Sequence, residues 1–173
     1  MNRILVVVDV SNLYYSIKKR FGDNRKLCYR KLLKYAQERG SIYRAICYSS
    51  DMKGKANDFF ACIKNLGYEL KLKPVKQYTN RGQLYEKSNL DIDMVVDIVR
   101  FTSHFDELVF VTSDGDMVPI VKYVQERGVK VHVLSCAINN DLREVVDSWN
   151  EVGPSLLERI HDEEVDVVAK SAE

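Results

Sequence analysis

The chain has 173 residues, 46% of them hydrophobic and 29% charged, with a formal net charge of +1. This length and composition are typical of one globular domain, and no apolar run approaches the roughly 20 residues of a membrane span. The apolar run near the N-terminus is too short for the core of a signal peptide, so a cytoplasmic location is expected.

The charges are unevenly distributed along the chain. Residues 1–90 hold 19 Lys and Arg against 7 Asp and Glu, whereas residues 91–173 hold 7 against 18. Such asymmetry between halves indicates a polyanionic partner. It is equally compatible with two halves that interleave in one domain, where the opposite charges average out.

The first half of the chain alternates strand-like and helical patterns. In chain order they predict a strand over 4–9, helices over 13–20 and 29–39, a strand over 41–50, a helix over 55–65 and a strand over 68–75. The first run, ILVVVD, is continuous and β-branched, as is typical of a strand buried on both faces. The last, YELKLKPV, alternates apolar and basic residues, so it is expected near a sheet edge.

The second half begins with a polar segment, QYTNRGQLYEKSN (77–89), which has no clear periodicity. It predicts a long loop, with a small hairpin around Asn80–Gly82 as the alternative. The later patterns predict a helix over 90–102, a strand over 107–113, a helix over 117–127, a strand over 129–135, and helices over 141–149 and 154–160. A single domain over 1–160 is expected, followed by an acidic, flexible tail over 161–173.

Strands that alternate with helices predict a three-layer α/β sandwich with a mainly parallel central sheet of about five strands, of the Rossmann-like kind. Right-handed crossovers place the carboxyl ends of parallel strands at one edge, where ligands bind in open α/β sheets. Four aspartates follow strands or begin helices at this edge: Asp9, Asp91, Asp114 and Asp116.

Each of these acids alone is compatible with a helix cap. Ser11 or Asn12 could cap the first helix, Asp91 the fourth, and Asp114 or Asp116 the fifth. Four carboxylates at one edge are harder to explain by capping, because like charges a few ångströms apart repel. The motifs hold no Lys or Arg that would neutralise them.

A divalent cation would neutralise such a cluster. Oxygen-only ligands favour Mg²⁺ or Mn²⁺ over zinc, and such a site suits phosphoryl transfer, in which the metal polarises the phosphate and positions a water. The side chain of Asn12 could orient a carboxylate or the water. Ser11, Thr112 and Ser113 are expected to support the ligands by hydrogen bonds.

Other chemistries find little support. The chain has no G-x-x-x-x-G-K-[ST] loop, no G-x-G-x-x-G fingerprint and no G-x-S-x-G elbow. Its four cysteines form no C-x-x-C pair at zinc-site spacing, and His104 and His132 are interpreted as structural. A receiver domain would need an acceptor Asp after the third strand and a Lys after the fifth, but these strands end in KPVK and LSC.

Three motifs together resemble the NYN domain. They are D-x-S-N at 9–12, L-D at 90–91 and T-S-D-G-D-M at 112–117, and the LabA-like (DUF88) branch of the PIN-like nuclease superfamily is the most similar. The resemblance covers roughly residues 4–149. It implies a PIN-like sandwich, ribonuclease activity that depends on Mg²⁺ or Mn²⁺, and metal binding by Asp9, Asp91, Asp114 and Asp116 with Asn12 as a polar helper.

The start of the fourth helix departs from the family pattern. LabA-like proteins often read K-G-V-D there, whereas this chain reads S-N-L-D-I-D, with the additional Asp93. Asp91 is retained as the ligand because Asp97 then falls six residues later, as in the LabA-like pattern. Asp97 would lie roughly 9 Å down the helix, so it is expected to support the site without binding metal directly.

The basic half of the chain then acquires a candidate role in binding RNA. Basic residues contact phosphates, and the aromatic rings of Tyr78 and Tyr85 could stack on unpaired bases. The alternative is a solvated edge strand that lysines keep soluble. The residues expected to contact nucleic acid are Lys53, Lys55, Lys71, Lys73, Lys76, Arg81 and Lys87.

Two functions therefore remain in competition. The first is a metal-dependent endoribonuclease that acts on single-stranded or structured RNA. The second is a non-catalytic or regulatory NYN module that binds RNA or protein. A homodimer is compatible with both, and no membrane partner is expected.

Overall fold

The computed structural model describes residues 1–51, 57–74, 76–80, 83–87 and 90–160. The strands are β1 (Arg3–Asp9), β2 (Arg25–Leu27), β3 (Ser41–Asp51), β4 (Glu69–Pro74), β5 (Lys76–Asn80), β6 (Gln83–Lys87), β7 (Glu107–Val111), β8 (Lys130–Ser135), β9 (Ser148–Glu151) and β10 (Leu157–Arg159). The helices are α1 (Val10–Phe21), α2 (Tyr29–Gln37), α3 (Asn57–Asn65), α4 (Asp91–Phe101), α5 (Val118–Gln125) and α6 (Asn140–Val145). Short 3-10 turns cover Thr102–His104, Gly115–Met117 and Pro154–Leu156.

Six strands form one parallel sheet in the order β4-β3-β1-β7-β8-β9. The chain builds outward from β1 to β3 and β4, and then returns to the other side of β1 with β7, β8 and β9. The strand order therefore reverses between β1 and β7. In open α/β sheets the crevice outside the carboxyl ends of the strands at such a reversal is the usual ligand site.

The two faces of the sheet carry separate apolar cores. On one face α1, α2 and α3 pack against alternate β1 residues such as Ile4, Val6 and Val8. On the other face α4, α5 and α6 pack against Leu5 and Val7. All five of these β1 side chains are fully buried, which confirms the predicted three-layer sandwich and a first strand covered on both faces.

The end of the described chain differs from the prediction. The predicted helix over 141–149 ends at Val145, and residues 148–151 instead form β9, which extends the sheet to six strands. The apolar spacing of the segment suits a helix, but the free edge of β8 offers hydrogen bonds that local propensity does not take into account. Asp147 sets the register, because its Oδ2 accepts the backbone N–H of Val131 at 2.8 Å.

The predicted helix over 154–160 is also wrong. Residues 154–156 form a 3-10 turn, and β10 pairs antiparallel with β2, which lies in a segment without a predicted element. The pairing places Leu157 opposite Leu27, and both side chains are buried. Burial of this apolar pair explains why two segments far apart in sequence form strands.

The edge position of β4 is confirmed, because β4 pairs only with β3 in the sheet described here. The hairpin alternative for residues 77–89 is also confirmed, since β5 and β6 pair antiparallel with Asn80 opposite Gln83. The acidic tail over 161–173 lies outside the described residues. Among the described helices, none is both long and apolar enough to cross a membrane.

Candidate active site

The reversal point of the sheet brings together the polar motifs of the sequence. Asp9 is the last residue of β1, and residues 112–114 follow β7 directly. Asp91 is the first residue of α4, the helix that precedes β7 along the chain. The structure thus places Asp9, Asp91 and Asp114 at one edge, in agreement with the argument from parallel strands.

Asp9 is a nearly buried carboxylate that also caps α1. Its side chain is 8% exposed, and its Oδ1 accepts the backbone N–H of Asn12 at 3.0 Å. The cap is thus Asp9 itself, whereas the sequence favoured Ser11 or Asn12. Burial, followed by the negative charges of Asp91 and Asp114, raises the pKa of Asp9 from 3.8 to about 6, although backbone N–H groups of Asn12 and Ser11 oppose this rise.

Asn12 connects the start of α1 to the end of β7. Its Oδ1 accepts the backbone N–H of Ser113 at 3.0 Å and the Ser113 hydroxyl at 2.7 Å. A backbone N–H can only donate, so this contact identifies the amide oxygen and leaves the Asn12 amino group available as a donor. Thr112 supports the same turn, because its Oγ1 accepts the backbone N–H of Asp114 at 3.2 Å.

Asp114 both caps the turn after β7 and presents an acceptor. Its Oδ1 accepts the backbone N–H of Asp116 at 2.9 Å, and in the described part of the chain its Oδ2 accepts no hydrogen bond. The side chain of Asp116 is exposed. Of these two acids, Asp114 therefore keeps an oxygen that could accept a ligand, while the side chain of Asp116 lies at the outer side of the turn.

Gly115 in this turn is required by a close approach. A Cβ atom there would lie 2.8 Å from the side chain of Asn139, the residue that caps α6 through its Oδ1. Asn139 could not be predicted as part of this region, because its only local signal is an Asn before a helix. The contact between the two loops depends on the packing of α6 beside the turn.

The acids of α4 divide into two groups. Asp93 forms an ion pair with Lys73 of β4 at 2.6 Å. The buried carboxylate of Asp97 accepts the Tyr48 hydroxyl at 2.9 Å. It also forms ion pairs with Lys71 at 3.8 Å and with Arg100 at 3.2 Å. The nearby carboxylate of Asp97 contributes, after burial, to raising the pKa of Tyr48.

Asp91, in contrast, lies close enough to Asp9 to raise its pKa. Within the described residues, no ion pair reaches Asp9 or Asp114. Asp91 is therefore an acid of α4 whose charge acts on Asp9, while Asp93 and Asp97 form ion pairs with basic side chains. Asp97 supports the helix from within the protein.

Tyr48 is a further residue that sequence reasoning missed. It lies opposite Asp9 in the register of β1 and β3, is fully buried, and donates to a carboxylate 49 positions away in the sequence. Its neighbours on β3, Cys47 and Ser49, carry no signal of this contact. The pairing follows only from the packing of α4 on the sheet.

The carboxylate oxygens at this edge are suitable ligands for a hard divalent cation, but the described side chains do not surround one completely. Across the ranges that the structure describes, no three acidic, histidine or cysteine side chains converge closely enough to hold a metal ion. Mg²⁺ usually keeps several waters and binds proteins through one or two carboxylates. Asp9 and Asp114, with the charge of Asp91 nearby, satisfy that requirement without a complete cage.

The predicted basic residues are only partly described. Lys71 and Lys73 extend from the edge strand β4 toward α4 and form the ion pairs with Asp97 and Asp93. Their side chains are nevertheless 47% and 36% exposed. Lys53, Lys55 and Arg81 lie outside the described residues, as do the side chains of Lys76 and Lys87 and of Tyr78 and Tyr85.

The buried histidine has a structural role. His132 is 1% exposed, with Nδ1 2.7 Å from the Ser148 hydroxyl and Nε2 2.8 Å from the Tyr35 hydroxyl. Burial lowers the pKa of His132 to about 4. The ring therefore remains neutral near pH 7 and links β8 to β9 and α2.

Replacing Ser113 by alanine should have a small effect that tests the link to Asn12. The variant removes the hydroxyl hydrogen bond of 2.7 Å but keeps the one from the backbone N–H, so we expect a decrease of about 1 kcal/mol in the free energy of unfolding. Urea denaturation measures it, with the exposed Ser155→Ala as the matched control. Equal stability of both variants would show that the hydroxyl contributes nothing.

Comparisons with known proteins identify the family and the fold. The sequence profile of the NYN domain matches residues 3–151. The low amplitude and bright protein LabA of Synechococcus elongatus is 25% identical, over 86% of this chain and 82% of that protein. A protein of unknown function from Vibrio parahaemolyticus shares the fold, with a TM-score of 0.80 at 22% identity over 91% of this chain and 96% of that one.

Proposed function

The chain belongs to the NYN domain family, which is related to the PIN-like nucleases, and we propose that it is a metal-dependent endoribonuclease. In this proposal Mg²⁺ or Mn²⁺ would be bound by Asp9 and Asp114, with the charge of Asp91 nearby. One observation carries it: Asp9, Asp91 and Asp114 lie near one another at the reversal point of the sheet, where burial and then the charges of Asp91 and Asp114 raise the pKa of Asp9 to about 6.

The energetics of Asp9 support the proposal of a bound cation. A carboxylate that is buried beside two others is unfavourable in its charged form at neutral pH, and the described ion pairs of α4 serve Asp93 and Asp97 instead. A bound cation would favour the charged form and offset the cost of burial. When bound, it would also stabilise the negative charge that develops on a phosphodiester during hydrolysis.

The remaining side chains have supporting roles in the proposal. Asn12, held through its oxygen by Ser113, would donate its amide N–H to a phosphate oxygen or a water. Ser11 donates its backbone N–H to Asp9, and Thr112 holds the backbone of Asp114. Asp116 would contact the cation through water, because its side chain is exposed at the outer side of the turn.

The decisive experiment uses the purified chain with labelled RNA of single-stranded and hairpin forms. We expect cleavage on addition of Mn²⁺ or Mg²⁺, and loss of cleavage with EDTA. Cleavage that persists in EDTA would contradict metal dependence. Internal cleavage products would distinguish an endoribonuclease from an exonuclease, which releases mononucleotides.

A non-catalytic RNA-binding module is the second candidate. It is favoured by the absence of a closed group of metal ligands among the described residues. This candidate expects RNA binding whose strength is independent of divalent cations, together with no cleavage. The same assay, run with a binding measurement in parallel, separates the two functions.

Replacing Lys71 and Lys73 together by glutamine tests the binding of RNA. Both side chains are partly exposed on the edge strand β4, so we expect weaker binding and a shallower dependence on salt. For each phosphate of a single strand that the variant no longer neutralises, the slope of log K against log salt should decrease by about 0.7. Fluorescence anisotropy in a salt series measures it.

The control for this experiment is the pair Lys122→Gln and Lys130→Gln. These lysines are exposed on α5 and at the start of β8, away from the edge strand. An unchanged slope in the Lys71 and Lys73 variant would show that these lysines serve only to neutralise Asp97 and Asp93.

A further inference from the structure

Helix α4 carries an exposed apolar stripe that the proposed activity does not use. The side chains of Ile92, Val96 and Val99 are 63%, 47% and 40% exposed. Their spacing of four and three residues places them on one face of the helix. The other large apolar side chains exposed in the described ranges, Met1, Tyr15 and Leu72, lie singly elsewhere in the chain.

The opposite face of α4 already fills the core. Met94 and Ile98 are fully buried there against the sheet. A surface helix usually carries one apolar stripe toward the core and polar residues toward water. A second apolar stripe on the outer face is typical of a helix with a partner.

The charges beside the outer stripe indicate which partner. Asp93 and Arg100 are seven residues apart, so they lie on the same flank of the stripe, one near each end of α4. Their side chains are 47% and 63% exposed. The flank therefore presents a negative charge toward the start of the helix and a positive charge toward its end.

We propose that this stripe is the contact surface for a second copy of the chain, in which the two α4 helices pack antiparallel about a twofold axis near Val96. In an antiparallel pair, the same flank of both helices lies on the same side of the interface, and the two flanks run in opposite directions. Asp93 then meets Arg100 of the partner subunit, and the symmetry repeats this ion pair once. A parallel pair would place this flank against the other side of the stripe and would form neither ion pair.

The surface is self-complementary, as a twofold interface requires. Within one chain, Asp93 pairs with Lys73 and Arg100 pairs with Asp97. The side chains of Asp93 and Arg100 remain partly exposed, so each can also form an ion pair with the partner subunit. Ile92 directly follows Asp91, so the interface borders the acidic edge without including its proposed ligands.

The size of the interface sets the conditions of the test. A helix of 11 residues buries less than the roughly 1,200 Å² of a standard interface, so a dissociation constant in the micromolar range is expected. Sedimentation equilibrium from about 1 to 200 µM should show a mass that rises from 20.0 kDa to twice that value. A mass of one chain at every concentration overturns the proposal.

Val96→Glu places two like charges at the proposed axis and should weaken dimerisation at least tenfold. Val96 is exposed in the single chain, so the variant should keep its fold, which circular dichroism checks. Tyr15→Glu, at an exposed apolar position of α1, is the matched control and should dimerise normally. Equal dimerisation of both variants overturns the proposal.

Charge reversal and crosslinking test the orientation. Asp93→Arg and Arg100→Asp should each weaken the dimer, and the double variant should restore it. In a Cys62→Ser background, Val96→Cys should form a disulfide between subunits on oxidation. Ile92→Cys should not, because the two residues would lie about 12 Å apart along the helices, beyond the reach of a disulfide. Equal crosslinking at both positions would indicate parallel helices and overturn the antiparallel arrangement.

These measurements contain no RNA and no divalent cation. The dimer and the proposed nuclease activity can therefore fail or succeed separately.

Discussion

Replacing Asp114 by asparagine should reduce metal-dependent RNA cleavage by about 10²- to 10³-fold or more. The variant keeps an oxygen that can accept the backbone N–H of Asp116, as Asp114 does at 2.9 Å, so the turn after β7 should retain its shape. It removes one negative charge from the acidic edge. Cleavage rates of labelled RNA, measured under single-turnover conditions across a Mn²⁺ series, report the loss.

The matched control for this variant is Asp23→Asn. Asp23 is an exposed carboxylate in an ion pair with Lys18 beyond the end of α1, so its loss should leave cleavage unchanged. Asp116→Asn should have an intermediate effect, because that side chain is exposed. Full activity of Asp114→Asn would remove Asp114 from the proposed site.

Replacing Asp9 by asparagine should stabilise the metal-free protein at neutral pH. The pKa of Asp9 is raised to about 6 from an ordinary value of 3.8, and a difference of this size corresponds to about 3 kcal/mol. Asparagine keeps the acceptor for the backbone N–H of Asn12 but carries no charge. We expect a gain of about 1–3 kcal/mol in the free energy of unfolding at pH 7.5.

The pH dependence of this gain follows from the direction of the shift. Between pH 3.8 and about 6 the folded protein holds a proton on Asp9 that the unfolded chain releases, so the contribution of Asp9 to stability falls as the pH rises. Above about pH 6 the full cost of the charged carboxylate is present. The advantage of Asp9→Asn should therefore be small at pH 4 and largest above pH 6.

Urea denaturation in EDTA at several pH values measures the gain, with Asp23→Asn as the control for loss of an exposed charge. Mn²⁺ or Mg²⁺ should raise the melting temperature of the unaltered chain at pH 7.5, and this rise should be lost in Asp9→Asn. A variant that is destabilised equally at all pH values would show that the buried charge of Asp9 carries no such cost in the metal-free protein.

Much of the fold could be predicted because it rests on local patterns. The continuous apolar run before Asp9 predicted a buried strand, and the alternation of YELKLKPV predicted an edge strand; the structure confirms both. Residues 148–151 could not be predicted in the same way. Their spacing suits a helix, and they become a strand because the edge of β8 is free to pair.

The candidate site shows the same division. The motifs around Asp9, Asp91 and Asp114 could be found because each follows a strand or begins a helix. The register of α4 was less certain because Asp93 stands two residues after Asp91. The effect of Asp91 on the pKa of Asp9 and the ion pair between Asp93 and Lys73 both depend on how α4 packs on the sheet.

The sequence by itself determined the alternation of strands and helices, the parallel sheet that follows from it, and the aspartates at the carboxyl edge. These features depend on residues close together in the chain and on the handedness of crossovers. Only the tertiary structure decided the strand order, the burial that raises the pKa of Asp9, the hydrogen bond from Tyr48 to Asp97, and the exposed stripe of α4. Each of these depends on groups that are distant in sequence, since burial and charge are properties of everything that surrounds a side chain in space.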